Sequence, residues 1–222
     1  MRQDSDQLVD ARRPLKTRHR PRAAALARSL AQRGVAANAI SVASVAVAAG
    51  AAASLVAVPY AADATRVGLL LAAAAFIQLR LLANLMDGMV AVEEGRRTPT
   101  GALYNEIPDR VADVLILVAA GYATTWFSSS ETLGWAAAVG ALLTAYVRLL
   151  GGSLGVTQQF CGPMAKPHRM AVLTAACLAS TVEVAFGFSG RVLTLALVVI
   201  AAGSLVTFAR RTRLIARELR ST

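Results

Sequence analysis

Asp87, Glu106, Asp109 and Asp113, together with the amides Asn84 and Asn105, form a group whose residue types and spacing suit chemistry. Arg80, Asn84 and Asp87 stand at i, i+4 and i+7, which places them on one face of a helix. Asn105, Asp109 and Asp113 recur every four residues, again on one face, with Glu106 beside them. Gly88 follows Asp87, and its missing side chain lets a ligand approach the backbone. The loop between the two faces carries Gly95, Arg96, Arg97, Pro99 and Gly101. Oxygen-only donors without His or Cys suit a hard cation such as Mg²⁺ or Mn²⁺. Such an ion binds a diphosphate and offsets charge that builds on phosphorus. The competing reading is that these groups cap helices and pair with Arg80, Arg110 or Arg148. That suffices for any one Asp, but not for the whole set gathered in one stretch of an apolar chain.

The elements that must position these residues are membrane helices. The chain has 222 residues, 56% of them hydrophobic and 16% charged, with a mean hydropathy of +0.53. Ala39–Val58 carries no charge and is long enough to cross roughly 30 Å of hydrocarbon as a helix. Comparable stretches cover Val67–Val92, Val111–Phe127, Gly134–Leu150, Met170–Phe188 and Val192–Phe208. Backbone groups in lipid must bond internally, so the expected fold is all-α, an integral membrane bundle of six transmembrane helices. Ionisable residues within such spans are costly and are functional candidates by default. Arg22–Arg33 reads as an amphipathic helix lying in the interface, broken at Gly34, with Asn38 as the N-cap of the first span. The organisation is thus a basic segment over 1–36, a membrane domain over 37–209 and a basic tail over 210–222.

The formal net charge of +10 is confined to the ends and one set of loops. Nine Lys or Arg precede Gly34, and Arg210, Arg211, Arg213, Arg217 and Arg220 crowd the C-terminal tail. The opposite loops hold Asp63, Arg66, Glu131, Glu183 and Arg191, with no basic excess. This bias places both termini in the cytoplasm of a bacterial-type inner membrane, against anionic lipid. A nucleic-acid partner is excluded, because the chain is committed to the bilayer. Cys161 and Cys177 lack metal spacing and read as packing residues. Gly151-Gly152-Ser153-Leu154-Gly155 reads as a flexible cytoplasmic segment after Arg148, weak as a phosphate loop without its helix and lysine. Arg148, Lys166 and Arg169 are candidates to meet a phosphate or an anionic acceptor, although positive-inside topology alone also accounts for them. Trp126 and Trp135 read as interfacial anchors.

Asn84-Leu-Met-Asp87-Gly88-Met-Val-Ala91-Val92, eight residues, then Gly101-Ala-Leu-Tyr-Asn105-Glu-Ile-Pro-Asp109 resembles the CDP-alcohol phosphotransferase signature DxxDGxxAR(x8)GxxxDxxxD. The spacing matches throughout. The departures are Asn84 and Asn105 at the first and third aspartates and Val92 at the arginine. The resemblance implies transfer of a phosphatidyl-type group from a CDP-linked lipid to a small alcohol, with release of CMP. It also implies one or two Mg²⁺ or Mn²⁺ ions and a homodimer. Carried across, Asp87 is a metal ligand and Asp109 the base and a possible ligand, while Gly88, Ala91 and Gly101 line the nucleotide. Asn84 and Asn105 would ligate through amide oxygens, with Glu106 and Asp113 restoring charge and Arg96 or Arg97 replacing the lost arginine. A non-catalytic relative, serving as a membrane scaffold or regulatory subunit, is the alternative. A transporter would need carboxylates at the bilayer midplane and is disfavoured.

Overall fold

The computed structural model describes residues 21–93 and 99–221, and these form helices, turns and loops without a strand. Seven α-helices follow in order: α1 Pro21–Gln32, α2 Ala37–Ala57, α3 Asp63–Glu93, α4 Gly101–Tyr122, α5 Ser130–Ser153, α6 Lys166–Ala185 and α7 Arg191–Ser221. Gly34, at φ +76°, ends α1 with a conformation that residues bearing a Cβ rarely adopt. The cap of α2 differs from expectation. Ala36 occupies the N-cap position without a side-chain hydrogen bond, and Asn38 lies inside the first turn.

Four helical segments, Ala37–Tyr60, Asp63–Ala91, Ser130–Ser153 and Arg191–Ser221, are long and apolar enough to cross a membrane. Only 33–44% of each apolar window is buried within the bundle, which leaves the rest to face lipid. Leu79, Val139, Val199 and Leu205 are among the large side chains that do so. The chain is a multi-pass membrane protein. The other two expected spans, α4 and α6, have 22 and 20 residues, membrane length at 1.5 Å per residue. They fall outside the apolar class because α4 carries Glu106, Asp109, Arg110 and Asp113, and α6 carries Lys166, His168, Arg169 and Glu183.

Packing joins α2 to both α3 and α4, α4 to α5, α5 to α7, α7 to α6, and α6 back to α3. The six helices therefore close into a ring in which α3 and α4, the two carriers of the polar set, flank α2 and touch each other directly over a short stretch. Small residues allow the close approaches. A Cβ on Gly121 would lie 2.9 Å from the Gly134 Cα, so α4 and α5 meet backbone to backbone. The ring interior is apolar over most of its length, with Leu55, Ile77, Ile116, Leu117, Leu173 and Leu197 fully buried. Outside the ring, α1 lies on α3, burying Ala27 and Ala31 against Met86, Met89 and Val90 while Arg28 stays exposed.

Gly151, Gly152 and Ser153 are not a flexible segment: they form the last turn of α5. Packing explains this, since a Cβ on Gly151 would lie 2.7 Å from Ile215 Cδ1 on α7. The basic tail likewise continues α7 as helix through Ser221. Residues 1–20 lie outside the described part of the chain.

Candidate active site at the mouth of the bundle

The end of the ring where α3 finishes and α4 begins holds a cavity of about 540 Å³. Helical period brings the expected faces inward. Arg80 is fully buried, Asp87 is 4% exposed and Asp113 is 1% exposed. Arg80 spans from α3 to α4: NH2 donates to Asp113 Oδ1 at 2.8 Å, to the Asp109 carbonyl at 3.0 Å and to Asp109 Oδ1 at 3.4 Å. One turn on, Asn84 Nδ2 donates to Asp109 Oδ1. The Lys166 ammonium, in the first turn of α6, pairs with Asp109 Oδ2. Arg169 closes the other side, donating to Asp113 Oδ2 at 2.9 Å, to the Met164 carbonyl at 2.9 Å and to Thr144 Oγ1 at 3.2 Å. The helix-pairing reading of these residues therefore holds for Asp109, Asp113 and Glu106, within the same cluster that lines the cavity.

Toward solvent, Glu106 accepts from Arg110 and Arg148, at 2.8 and 2.6 Å. Arg148 also donates to Gln158 Oε1 at 2.6 Å and lies over the Phe160 ring, 5.3 Å from its centroid. Glu106, Asp109 and Asp113 thus each have a cation beside them. Removing one partner of such a pair typically costs about 3–5 kcal/mol, because the other charge is left desolvated.

Asp87 differs from the other three acids. Its Oδ2 accepts the Ser41 hydroxyl of α2 at 2.6 Å, and no cation pairs with it among the described residues. Its Oδ1 is buried and has no hydrogen-bond partner among the described residues, and the same is true of Asn84 Oδ1. Both residues line the cavity. Two orphaned oxygens on one helix face fit a hard cation that would satisfy them. Among the described residues, no three His, Cys, Asp or Glu side chains converge as a ready-made metal cluster.

Of the predicted residues, Asn84, Asp87, Gly88, Asn105, Glu106, Asp109, Arg148, Lys166 and Arg169 come together on the cavity. Asp113 sits behind it, bound by both arginines. Asn105 is exposed at the rim. Ala91 packs with the cluster beneath α1, and Gly101 is the first residue of α4; neither lines the cavity. Arg96 and Arg97 lie outside the described residues. The cavity also recruits residues that sequence reasoning missed: Thr144, Phe160 and Arg211. Arg211 looked like one more basic tail residue, yet it is 4% exposed and donates to the Thr144 and Cys161 carbonyls. The available signal was period, since Thr207, Arg211 and Ile215 follow at four-residue steps on the buried face of α7.

No family model and no curated protein sequence matches the chain. Solved structures do. That of Mycobacterium tuberculosis phosphatidylinositol phosphate synthase (PgsA1) with CDP-DAG bound superposes with a TM-score of 0.70 at 19% identity, covering 87% of this chain and 92% of that one. The same protein in complex with manganese and citrate gives 0.70 at 19% identity, over 87% and 88% of the two chains. Its apo form gives 0.65 at 20% identity, over 85% and 93%. At this level of identity the likeness is one of fold, and it extends over nearly the whole of both chains.

Proposed function

We propose that the chain transfers a phosphatidyl-type group from a CDP-linked lipid, such as CDP-diacylglycerol, to a small alcohol and releases CMP, as a step of phospholipid synthesis. The observation that carries this reading is the mouth itself. A cavity opening between membrane helices, lined by carboxylate, amide and cationic groups, suits a donor with lipid tails and a charged diphosphate head. A fold shared with a synthase solved with CDP-DAG, and with manganese, supports it.

Asp109 is the base in this reading. The acceptor hydroxyl gives its proton to the Asp109 carboxylate as its oxygen bonds to phosphorus. The bond from phosphorus to CMP breaks, and its electron pair leaves on CMP. Asp109 Oδ1 is held by Asn84 and Arg80, which aims the carboxylate. Its Oδ2 meets Lys166, and an anionic substrate that draws the ammonium to its own phosphate would free that oxygen for the proton. Asp87 and Asn84 would hold Mg²⁺ or Mn²⁺, which when bound supplies Lewis-acid stabilisation of the phosphoryl oxygens. Arg148, Lys166 and Arg169 are the cations nearest to hand for an anionic acceptor. In the membrane, α2 to α7 form six spans with both termini cytoplasmic, α1 lies in the interface, and the working form is a homodimer.

The test is CMP release by purified protein given CDP-diacylglycerol, Mg²⁺ or Mn²⁺ and a panel of alcohols that includes inositol phosphate, glycerol phosphate and serine. Release with one acceptor, lost in Asp109→Asn, is expected. No release with any acceptor would sink the transferase reading and leave the scaffold.

A further inference from the structure

We propose that this mouth takes a single divalent cation, on Asp87 Oδ1 and Asn84 Oδ1 of α3, and that Arg80 and Lys166 occupy Asp109 in place of a second. The inference rests on the reading of the mouth as a metal-assisted nucleotide site, but it concerns how many ions the site holds. Asp109 Oδ1 takes Asn84 and Arg80, and Oδ2 takes Lys166. Asp113 has Arg80 on Oδ1 and Arg169 on Oδ2. Glu106 has Arg148 on Oε1 and Arg110 on Oε2. Among the described residues, Asp87 alone of these acids pairs with no cation, and its Oδ1, in a residue 4% exposed, has no hydrogen-bond partner. Asn84 is the hinge of the arrangement. Its Nδ2 is spent on Asp109, so its Oδ1 is turned away from that carboxylate; it is buried without a partner among the described residues, three positions before Asp87 on the same helix.

Charge points the same way. Four carboxylates at the mouth already share it with six cationic side chains: Arg80, Arg110, Arg148, Lys166, Arg169 and Arg211. One dication matches the charge of a diphosphate diester. A second would add uncompensated positive charge where the dielectric is low and the repulsion strong. An aspartate at position 84 would have had no proton to give Asp109 at ordinary pH, so the amide at this position both releases an oxygen and removes the need for another ion.

Detergent-solubilised full-length protein titrated with Mn²⁺, with free Mn²⁺ read by its electron paramagnetic resonance signal, counts the ions directly. One equivalent is expected. Asp87→Asn, which keeps the size of the side chain, should weaken it by more than the roughly 10–100-fold typical of losing an outer-shell partner. Asn84→Asp combined with Lys166→Gln adds a carboxylate and frees Asp109 Oδ2, and should bind two equivalents. Two equivalents in the unaltered protein, none at all, or unchanged binding in Asp87→Asn would overturn the proposal. A count of one in the double variant, still folded by its thermal melt, would overturn the part given to Lys166. CMP release is measured separately: one ion without turnover leaves the count standing and removes the transferase reading, and turnover with two ions does the reverse.

Discussion

The two ends of the bundle bury polar groups in opposite ways. At the end away from the mouth, Glu183 accepts the backbone N–H groups of Arg191 and Val192 at 2.8 and 3.4 Å, which caps α7. Thr124 and Thr194 both donate to the Gly190 carbonyl, at 2.9 and 2.7 Å, and Ser130 donates to the Thr124 carbonyl at 2.6 Å. The void beside them is about 10 Å³, room for one water at most, and Ser180, whose Oγ has no partner among the described residues, lines it. At the mouth the carboxylates take side chains of opposite charge, the cavity is about 540 Å³, and Asp87 Oδ1 and Asn84 Oδ1 have no partner among the described residues. Polar groups that fasten helix ends spend themselves on nearby backbone. A site instead fixes its groups with other side chains and keeps oxygens in reserve.

If that contrast is right, substitutions at the two ends should separate activity from stability. The largest effect is expected from Asp109→Asn, which should lower the rate of CMP release by about 10²–10⁴-fold, the range for losing a general base. A rate within a few-fold of the parent protein would remove Asp109 from the chemistry. Arg80→Met comes next. It leaves Asp113 with Arg169 as its remaining ion-pair partner and should destabilise the fold by about 3–5 kcal/mol, seen as a lower thermal midpoint in detergent. Should the midpoint stay put, the buried pairing at the mouth is not what holds α3 against α4.

The far end supplies the controls. Gly121→Ala forces a Cβ to within 2.9 Å of the Gly134 Cα and should cost about 1–3 kcal/mol, with CMP release per folded molecule unchanged. Glu183→Gln keeps a hydrogen-bonding side chain but loses the charge at the N-terminus of α7, for about 0.3–1 kcal/mol and again no change in rate. A selective fall in turnover in either variant would mean that the two ends are coupled.

Much of the site was legible before folding because its period survives in the chain. Arg80, Asn84 and Asp87, and likewise Asp109 and Asp113, share faces by four-residue spacing, and those faces do turn inward. Spacing could not say which groups would meet. The Arg80–Asp113 bond joins successive helices, α3 and α4, across the loop between them, and the Lys166–Asp109 pair joins α6 to α4, two helices that are not consecutive. Local signals also misled where packing overrode them: Asn38 looks like a cap but lies within α2, and Gly151-Gly152 looks like a loop but closes against Ile215.

Hydropathy and charge bias by themselves determined that this is a helical membrane protein with a polar stretch from Asn84 to Asp113, since lipid forces the backbone into helices and tolerates few charges. The tertiary structure alone decided which carboxylates are spent and which are free. That depends on Ser41, Lys166 and Arg169 arriving from α2 and α6, and only ring closure brings those helices to the mouth. Periodicity specifies a face, but pairing across a bundle is a property of three dimensions.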